Sequence, residues 1–555
     1  MERKSCCGSR NYVCTPKKEA MVTPKKEEDV KPDITKGSHH AAPVPVPAAV
    51  VKIPKKEENE TVSVKNEASK PNVGCVSQAC ERVKRNEEGR NLEKKERQTM
   101  MDEEQDRISN LSDDVLAHIL SFLELRDAFK TMILSKRWEK VWTLTHSINL
   151  NNKSCVRRFD QRLSLDKEIR RRTTFINFIN GVLFGDNMIF PVKAFTLSYY
   201  FGYADFIRHR HSPYLIKWVD AVSTNDLEKF DFSISIDCTF PVLNMPPTLF
   251  QCQNLVTLSL ESINRVLICF DVLETACLLS LKYLRLVKVR FEEENTLKNL
   301  LSGCPVLEEL YMEPGDTGFK SIPHFYFISP SLKILRWKLE EGFHGYFVVK
   351  APKLEHLHFV EHSMLGFSMS VSPSLVSVVM DIGSSFGHHG HISVKKLFQG
   401  ISNAQKLEWS THRTFMANKV ELDNLPEFCN LTHLKIGSCQ DFYFVSSIIQ
   451  HSPHLKHLIF DKDHFISGPM TWSPLVPVPP CLVSHLETVE IIAPEGQTSY
   501  EIELILYLLH EGKVLKKMIV TPFSCMDLRR KLWESPKTGG CKIVFSDFPA
   551  GGTSR

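Results

Sequence analysis

What the chain has little of narrows it first. Among its 555 residues there is no run of about eighteen apolar residues, the length a membrane-crossing helix needs. "VPVPAAVV" is short and proline-broken, and "LILYLL" is one face of a helix. Net charge is slight: 69 Lys and Arg against 65 Asp and Glu leave +4, too little over this length to point to general nucleic-acid or membrane-surface binding. The opening MERKSCCGSR lacks an apolar signal core and the 16 cysteines form no dense framework, so a reduced protein of the cytoplasm or nucleus is predicted. Catalytic signatures are missing as well. Without a P-loop, dinucleotide fingerprint, HExxH, nucleophile elbow or CxxC pair, the residues argue for a non-catalytic protein whose partners are proteins and which needs no cofactor.

Two further scarcities concern segments. From Met1 to residue 104 large aromatics are almost absent while Lys, Glu and Pro abound, so too little apolar area exists to offset the entropy of ordering this stretch, and disorder is predicted. "PKKE" recurs there at Pro16, Pro24 and Pro54. It reads as a solvated linker, with a nuclear-import or docking motif the less favoured alternative. Metal ligands are equally thin. Cys6, Cys7 and Cys14 lack a His or fourth Cys nearby and read as free thiols. His388, His389 and His391 in "GHHGH" have only Asp381 near them and read as a polar loop, so no metal site is predicted.

What is present begins at "NLSDDVLAHILSFLELRDAFKTMILSKRWEKVW", residues 110–142. Val115, Leu116, Ile119, Leu120 and Leu123 recur at helical spacing, Ser112 is placed to cap that helix, and Asp113 and Asp114 face the positive end of its dipole. A second helix from Asp127 is predicted to carry Phe129, Ile133, Leu134, Trp138, Val141 and Trp142 on apolar positions, with Lys136, Arg137 and Lys140 outside. So small a unit cannot bury all of this alone. Either a helix-mediated interface or the following domain must take up the surplus.

After Asn151 a Leu-x-x-Leu-x-Leu unit recurs, with Cys-Pro, Ser-Pro or Ala-Pro punctuation. Units starting at Leu227, Leu255, Leu281, Leu307, Leu332, Leu354 and Leu375 follow one another at intervals of 28, 26, 26, 25, 22 and 21 residues, inside the leucine-rich-repeat range of roughly 20–29. Units at Leu431 and Leu455, a degenerate one around Leu407, and "VKAFTL" and "LETVEI" at either end extend the series. The last two leucines of each unit are predicted to point inward from a short strand, and the residue between them toward the open, concave face. That row is Asp231, Ser259, Arg285, Tyr311, Arg336, His358, Lys435 and Ile459, cationic and aromatic with few acids; Arg285, Tyr311, Arg336, His358 and Lys435 are the candidate target-binding residues. The connecting halves differ. A helix is predicted over Glu292–Leu301, whereas the return after Leu354 has no room for one and should come back as irregular strand.

Residues 106–142 resemble the plant F-box through the "DRIS-L" entry, "ILSFL", "DA" and "LSKRW..-W". The C-terminal stretch resembles the FBD domain of plant F-box proteins through "CL..-L..VEI", "YLL", "VLKKM.I" and "C.I.F", with a strand over Leu486–Ile492, a helix from Tyr500 to about His510, a strand over Leu515–Val520, a helix in "MDLRRKLWES" and a last strand in "CKIVFSDF". Two departures occur: Leu111-Ser112 stands where the family has Leu-Pro, and Gly512-Lys513 where it has Asn-Ala.

The expected fold class is therefore α+β: a disordered extension over 1–104, a small helical F-box module over 105–150, an irregular leucine-rich-repeat solenoid over 151–480, and an FBD-like α/β cap over 481–550. The resemblance implies a substrate receptor of a ubiquitin ligase. Its F-box would dock a Skp-type linker, and through it a cullin, by way of Leu111, Ser112, Val115, Leu116, Ile119, Leu120 and Trp138, and its repeats would hold an unidentified target. A scaffold whose F-box is weakened at Ser112 is the second reading.

Overall fold

A computed structural model describes residues 107–153, 164–185, 191–201, 212–236, 243–263, 268–270, 276–291, 293, 295–315, 323–339, 345–362, 364–382, 394–411, 419–437, 442–461, 475–492, 499–521, 530 and 540–545. The extension, the PKKE units, Cys6, Cys7, Cys14 and the "GHHGH" loop lie outside the described residues, as does all but Arg530 of the predicted "MDLRRKLWES" helix.

The first helix, α1 (Asp113–Ser121), starts where its residues dictate. Ser112 is the cap, its Oγ accepting from the Val115 N–H at 3.4 Å, and both aspartates occupy the first turn. The expected second helix is broken. It becomes α2 (Leu125–Lys130), a 3-10 turn over Thr131–Ile133, α3 (Trp138–Val141) and another 3-10 turn over Trp142–Leu144. The Thr131 hydroxyl donates to the Ala128 carbonyl at 2.6 Å, a side-chain to backbone bond of the kind that competes with regular helix, and the resulting bend brings Trp138 and Trp142 into the module's core. Leu116, Leu120, Leu125, Ala128, Val141 and Trp142 fill that core, and α1 and α2 pack against the first strand, β1 (Ser147–Asn151).

From β1 onward the chain is a stack of parallel strands. Helix α4 (Leu165–Phe184) leads to β2 (Ala194–Phe201), and helix α5 (Ser212–Val222) to β3 (Lys229–Ile236). Then come β4 (Leu243–Asn244), β5 (Thr257–Ile263), β6 (Ile268–Phe270), β7 (Tyr283–Phe291), helix α6 (Thr296–Ser302), β8 (Glu309–Pro314), β9 (His324–Ile328), β10 (Ile334–Leu339), β11 (Tyr346–Lys350), β12 (His356–Glu361), β13 (Gly366–Met369) and β14 (Ser377–Ile382). The rest comprises helix α7 (Val394–Ile401), β15 (Lys406–Thr411), α8 (Lys419–Leu422), β16 (His433–Ile436), α9 (Phe442–Gln450), β17 (His457–Asp461), α10 (Pro480–Ser484), β18 (Thr488–Ile492), α11 (Ser499–Glu511), β19 (Lys517–Thr521) and β20 (Lys542–Phe545).

Pairing runs β1–β2–β3–β5–β7–β8–β10–β12–β14–β15–β16–β17–β18–β19–β20, parallel at every step. Short β4 and β6 add beside the C-terminal half of β7, making a 17-stranded sheet. The leucine pattern explains it. Middle and last apolar residues of successive units, such as Leu310 and Met312, Leu335 and Trp337, and Val378 and Met380, are fully buried, as is the first leucine of the same units at Leu307. The degenerate unit is β15, with Leu407 and Trp409 buried in the same positions.

The returning halves form the second layer. The predicted helix at Glu292 starts later, as α6 at Thr296, and the helix-free return after Leu354 is indeed strand. It belongs to a separate three-stranded parallel sheet, β9–β11–β13, which the unit spacing does not reveal. Phe325, Phe347 and Phe367 stand in register across that sheet and meet Trp337 and Phe359 of the main one, with ring centroids 4.9 Å (Phe325–Trp337), 5.0 Å (Trp337–Phe347) and 5.1 Å (Phe359–Phe367) apart. Among these rings one carboxylate is buried: Glu361 accepts from the Trp337 indole N–H at 3.0 Å.

The FBD-like segment is less a lid than a continuation. Helix α11 begins within a residue of the expected start, yet β18, β19 and β20 simply add to the same sheet in register. The last strand is half exposed along its length, as an edge strand is.

Candidate interaction surfaces

The seven F-box residues singled out from sequence separate into two groups. Leu116, Leu120 and Trp138 are buried in the module's own core, so their side chains cannot form a contact surface. Val115 and Ile119 are exposed by 43% and 45%, Ser112 is exposed, and Leu111 is partly buried against the core. Other large apolar residues of the module are also exposed: Phe122 at 73%, Ile133 at 88%, Leu134 at 63% and Ile108 at 57%. Val115, Ile119 and Phe122 recur at helical spacing along one face of α1 and its C-terminal cap. The module thus exposes more large apolar side chains than its own core takes up.

Arg137 is not the outward, solvated residue that its spacing predicts. Its guanidinium donates to the Ser109 carbonyl at 2.6 Å, to the Leu111 carbonyl, and to Asp113 Oδ1 at 2.6 Å. One side chain thus staples the entry turn and the start of α1 to α3, fixing the backbone on which Ser112 and Val115 ride. The planar fork of arginine suits this task as lysine's point charge does not.

On the sheet the register brings the predicted row together. Asp231, Ser259, Arg285, Tyr311, Arg336 and His358 are successive partners across β3, β5, β7, β8, β10 and β12. The same line continues through Val379, Glu408, Lys435, Ile459 and Glu490. The expected scarcity of acids does not hold, because neighbouring strands supply them. Glu261 meets Arg285 at 3.4 Å, Glu309 pairs with Arg336, and Glu408 and Asp461 meet Lys435 at 2.7 and 3.1 Å. Burial acts to lower the Lys435 pKa, but hydrogen bonds to Glu408 and Asp461 outweigh it and raise the pKa. Burial, with the Arg336 charge beside it, holds His358 below the usual imidazole range, so that it is neutral near pH 7. Arg285 lies over the Tyr311 ring at 4.4 Å. The row is a mosaic of half-exposed ion pairs and one cation–π contact.

Among the described residues no three or more His, Cys, Asp or Glu side chains group as metal ligands, and no helix is long and apolar enough to cross a membrane.

The chain thus combines a helical module that exposes apolar side chains with a parallel stack of leucine-spaced strands. Residues 108–147 match the F-box domain family, 215–379 the family described as FBD-associated F-box protein At5g56370, LRR repeats, and 474–520 the FBD family. The chain is a homologue of the FBD-associated F-box proteins of Arabidopsis thaliana. It is 29% identical to the putative FBD-associated F-box protein At5g50270 over 76% of this chain and 97% of that protein, and 27% identical to the putative FBD-associated F-box protein At5g53635 over 79% of this chain and all of that protein. The F-box/FBD/LRR-repeat protein At4g26340 is 27% identical over 76% of this chain and 93% of its own length.

Proposed function

We propose that the chain is the non-catalytic substrate receptor of a Skp–cullin–F-box ubiquitin ligase, acting in the cytoplasm or nucleus. In this reading the F-box module docks a Skp-type linker, and through it a cullin, while the strand stack, a leucine-rich-repeat solenoid, presents a target protein. The observation that carries it is the surplus of exposed apolar side chains on the module, Val115, Ile119, Phe122, Ile133 and Leu134, left over after its own core and its contact with β1 are complete. No side chain of this chain makes or breaks a bond. Its contribution is proximity, since a target held near the charged ubiquitin carrier meets it at a raised effective concentration. Target contacts are assigned to the half-exposed row, with Arg285, Tyr311, Arg336, His358 and Lys435 as its candidate members.

A second reading rests on Ser112, which stands where the F-box family has proline: a scaffold that binds targets without joining a ligase. Co-purification of the full chain with a Skp-type linker and cullin separates the two. Formation of a stoichiometric complex, lost in an Ile119→Asp/Ile133→Asp variant that melts like the wild type, supports the receptor. Absence of any complex with the wild type leaves the scaffold.

A further inference from the structure

We propose that a pocket between the F-box module and the first returning helix binds a small aromatic polyanion of the nucleoside-polyphosphate class. The cavity measures about 620 Å³, within the range of roughly 300–1,000 Å³ typical of small-molecule sites. Four cations line it, Arg126 and Lys130 from α2 and Arg170 and Arg171 from α4, and no carboxylate is among its lining residues. Lys130 pairs with Asp127 at 2.5 Å outside that lining, while Arg126, Arg170 and Arg171 have no ion pair or side-chain hydrogen bond among the described residues.

This contrasts with the row across the sheet, where Arg285, Arg336 and Lys435 are matched by acids from neighbouring strands. It contrasts also with the next residue along α4. Arg172 turns inward to Glu168 at 3.2 Å, both side chains fully buried, and reaches the Tyr200 carbonyl. Of three consecutive arginines, one is consumed by the fold and two are left facing the pocket.

The remaining lining fixes the rest of the ligand's chemistry. Phe129, Phe175 and Phe178 border the same cavity. Phe129, 38% exposed, is held edge-on by Phe178 and by Trp142, each at a centroid distance of 5.4 Å. Arginine forks are suited to bidentate contact with phosphate oxygens, and aromatic faces to stacking with a planar base. A bare phosphate would leave the rings unused, and an uncharged base would leave the guanidinium groups unpaired. Because the walls come from α2 of the module and α4 of the stack, an occupant would also tie the two together.

The test is titration calorimetry on the full chain with ATP, pyrophosphate and adenosine as probes. ATP is expected to bind at least about tenfold more tightly than either fragment, and to lose affinity steeply as salt is raised from 50 to 200 mM. An Arg170→Glu/Arg171→Glu variant, altered only at exposed helix positions, should weaken ATP by at least about thirtyfold, the order of loss that reversing two of four phosphate-facing charges produces. Arg126→Gln, on the opposite wall, should weaken it less, and a Lys136→Glu/Lys140→Glu variant outside the pocket should leave it unchanged. The proposal is overturned if the wild type binds no ATP, if pyrophosphate binds as tightly as ATP, or if both the double variant and Arg126→Gln retain wild-type affinity.

Discussion

The F-box module and the strand stack are built from the same kind of residue and finish it differently. In the stack Leu310, Leu335 and Val378 are fully buried because each strand is covered by its neighbours on both sides, while in the module Ile133, Phe122 and Leu134 remain largely in water. A repeat gains its cover from the next repeat. The module meets β1 and, through Phe129 and Phe178, helix α4, and these contacts leave part of its apolar surface exposed among the described residues.

The comparison predicts opposite outcomes for the same kind of substitution, and the most disruptive case lies in the stack. Leu335→Asp should unfold part or all of the repeats, because the middle leucine has no exposed side and an unpaired buried carboxylate costs several kcal/mol; a wild-type melting curve would mean the layer is mis-registered. Next comes Leu116→Asp, which should collapse the module and with it linker binding, since this side chain is core. Phe122→Asp or Ile133→Asp should instead leave stability within about 0.5 kcal/mol and still abolish linker binding. Circular dichroism beside linker affinity separates these outcomes, and equal loss of fold in both sets would erase the distinction.

Arg137→Ala is expected to cost about 1–2 kcal/mol, since it removes hydrogen bonds to two carbonyls and a half-exposed ion pair. Arg137→Lys should recover only a small part, because one ammonium cannot span the same three acceptors; chemical denaturation of the full chain checks both. Smallest is Ser112→Pro. The Ser112 φ of −66° suits proline, which stabilises by about 0.4–1 kcal/mol through the unfolded state, but the 3.4 Å cap to Val115, of the kind worth about 1 kcal/mol, is lost. Stability should therefore stay within about 0.5 kcal/mol, and any large change in linker affinity reports on contact rather than folding.

How much of this was legible in the residues follows from what repeats. The strand positions, the buried middle leucines and the aligned row from Asp231 to Ile459 all follow from one spacing carried from unit to unit, so errors do not accumulate. The sheet β9–β11–β13 was hidden because "HFYFI", "YFVVK" and "GFSM" share alternation but no leucine signature. Acids opposite the row were missed for a geometric reason: Glu261 and Glu309 belong to other positions of neighbouring units and meet the arginines only after pairing. In the module, apolar residues stand at both 115/119 and 116/120, so helical periodicity cannot decide which pair is core. Arg137 was misread because a charged residue beside two exposed lysines gives no sign that backbone carbonyls wait for it.

Strand order has a consequence for how the chain comes to be folded at all. Along the main sheet, the short β4 aside, each strand after β1 joins one that was made shortly before it, and the widest gap between paired strands is that from Ser147 to Ala194. Closing loops of such modest length is cheap, since the entropic cost grows only with the logarithm of their size. The order of pairing is the order of synthesis. The module, emerging ahead of the stack, offers β1 a surface, β1 offers β2 an edge, and each later strand of that run meets an edge already in place.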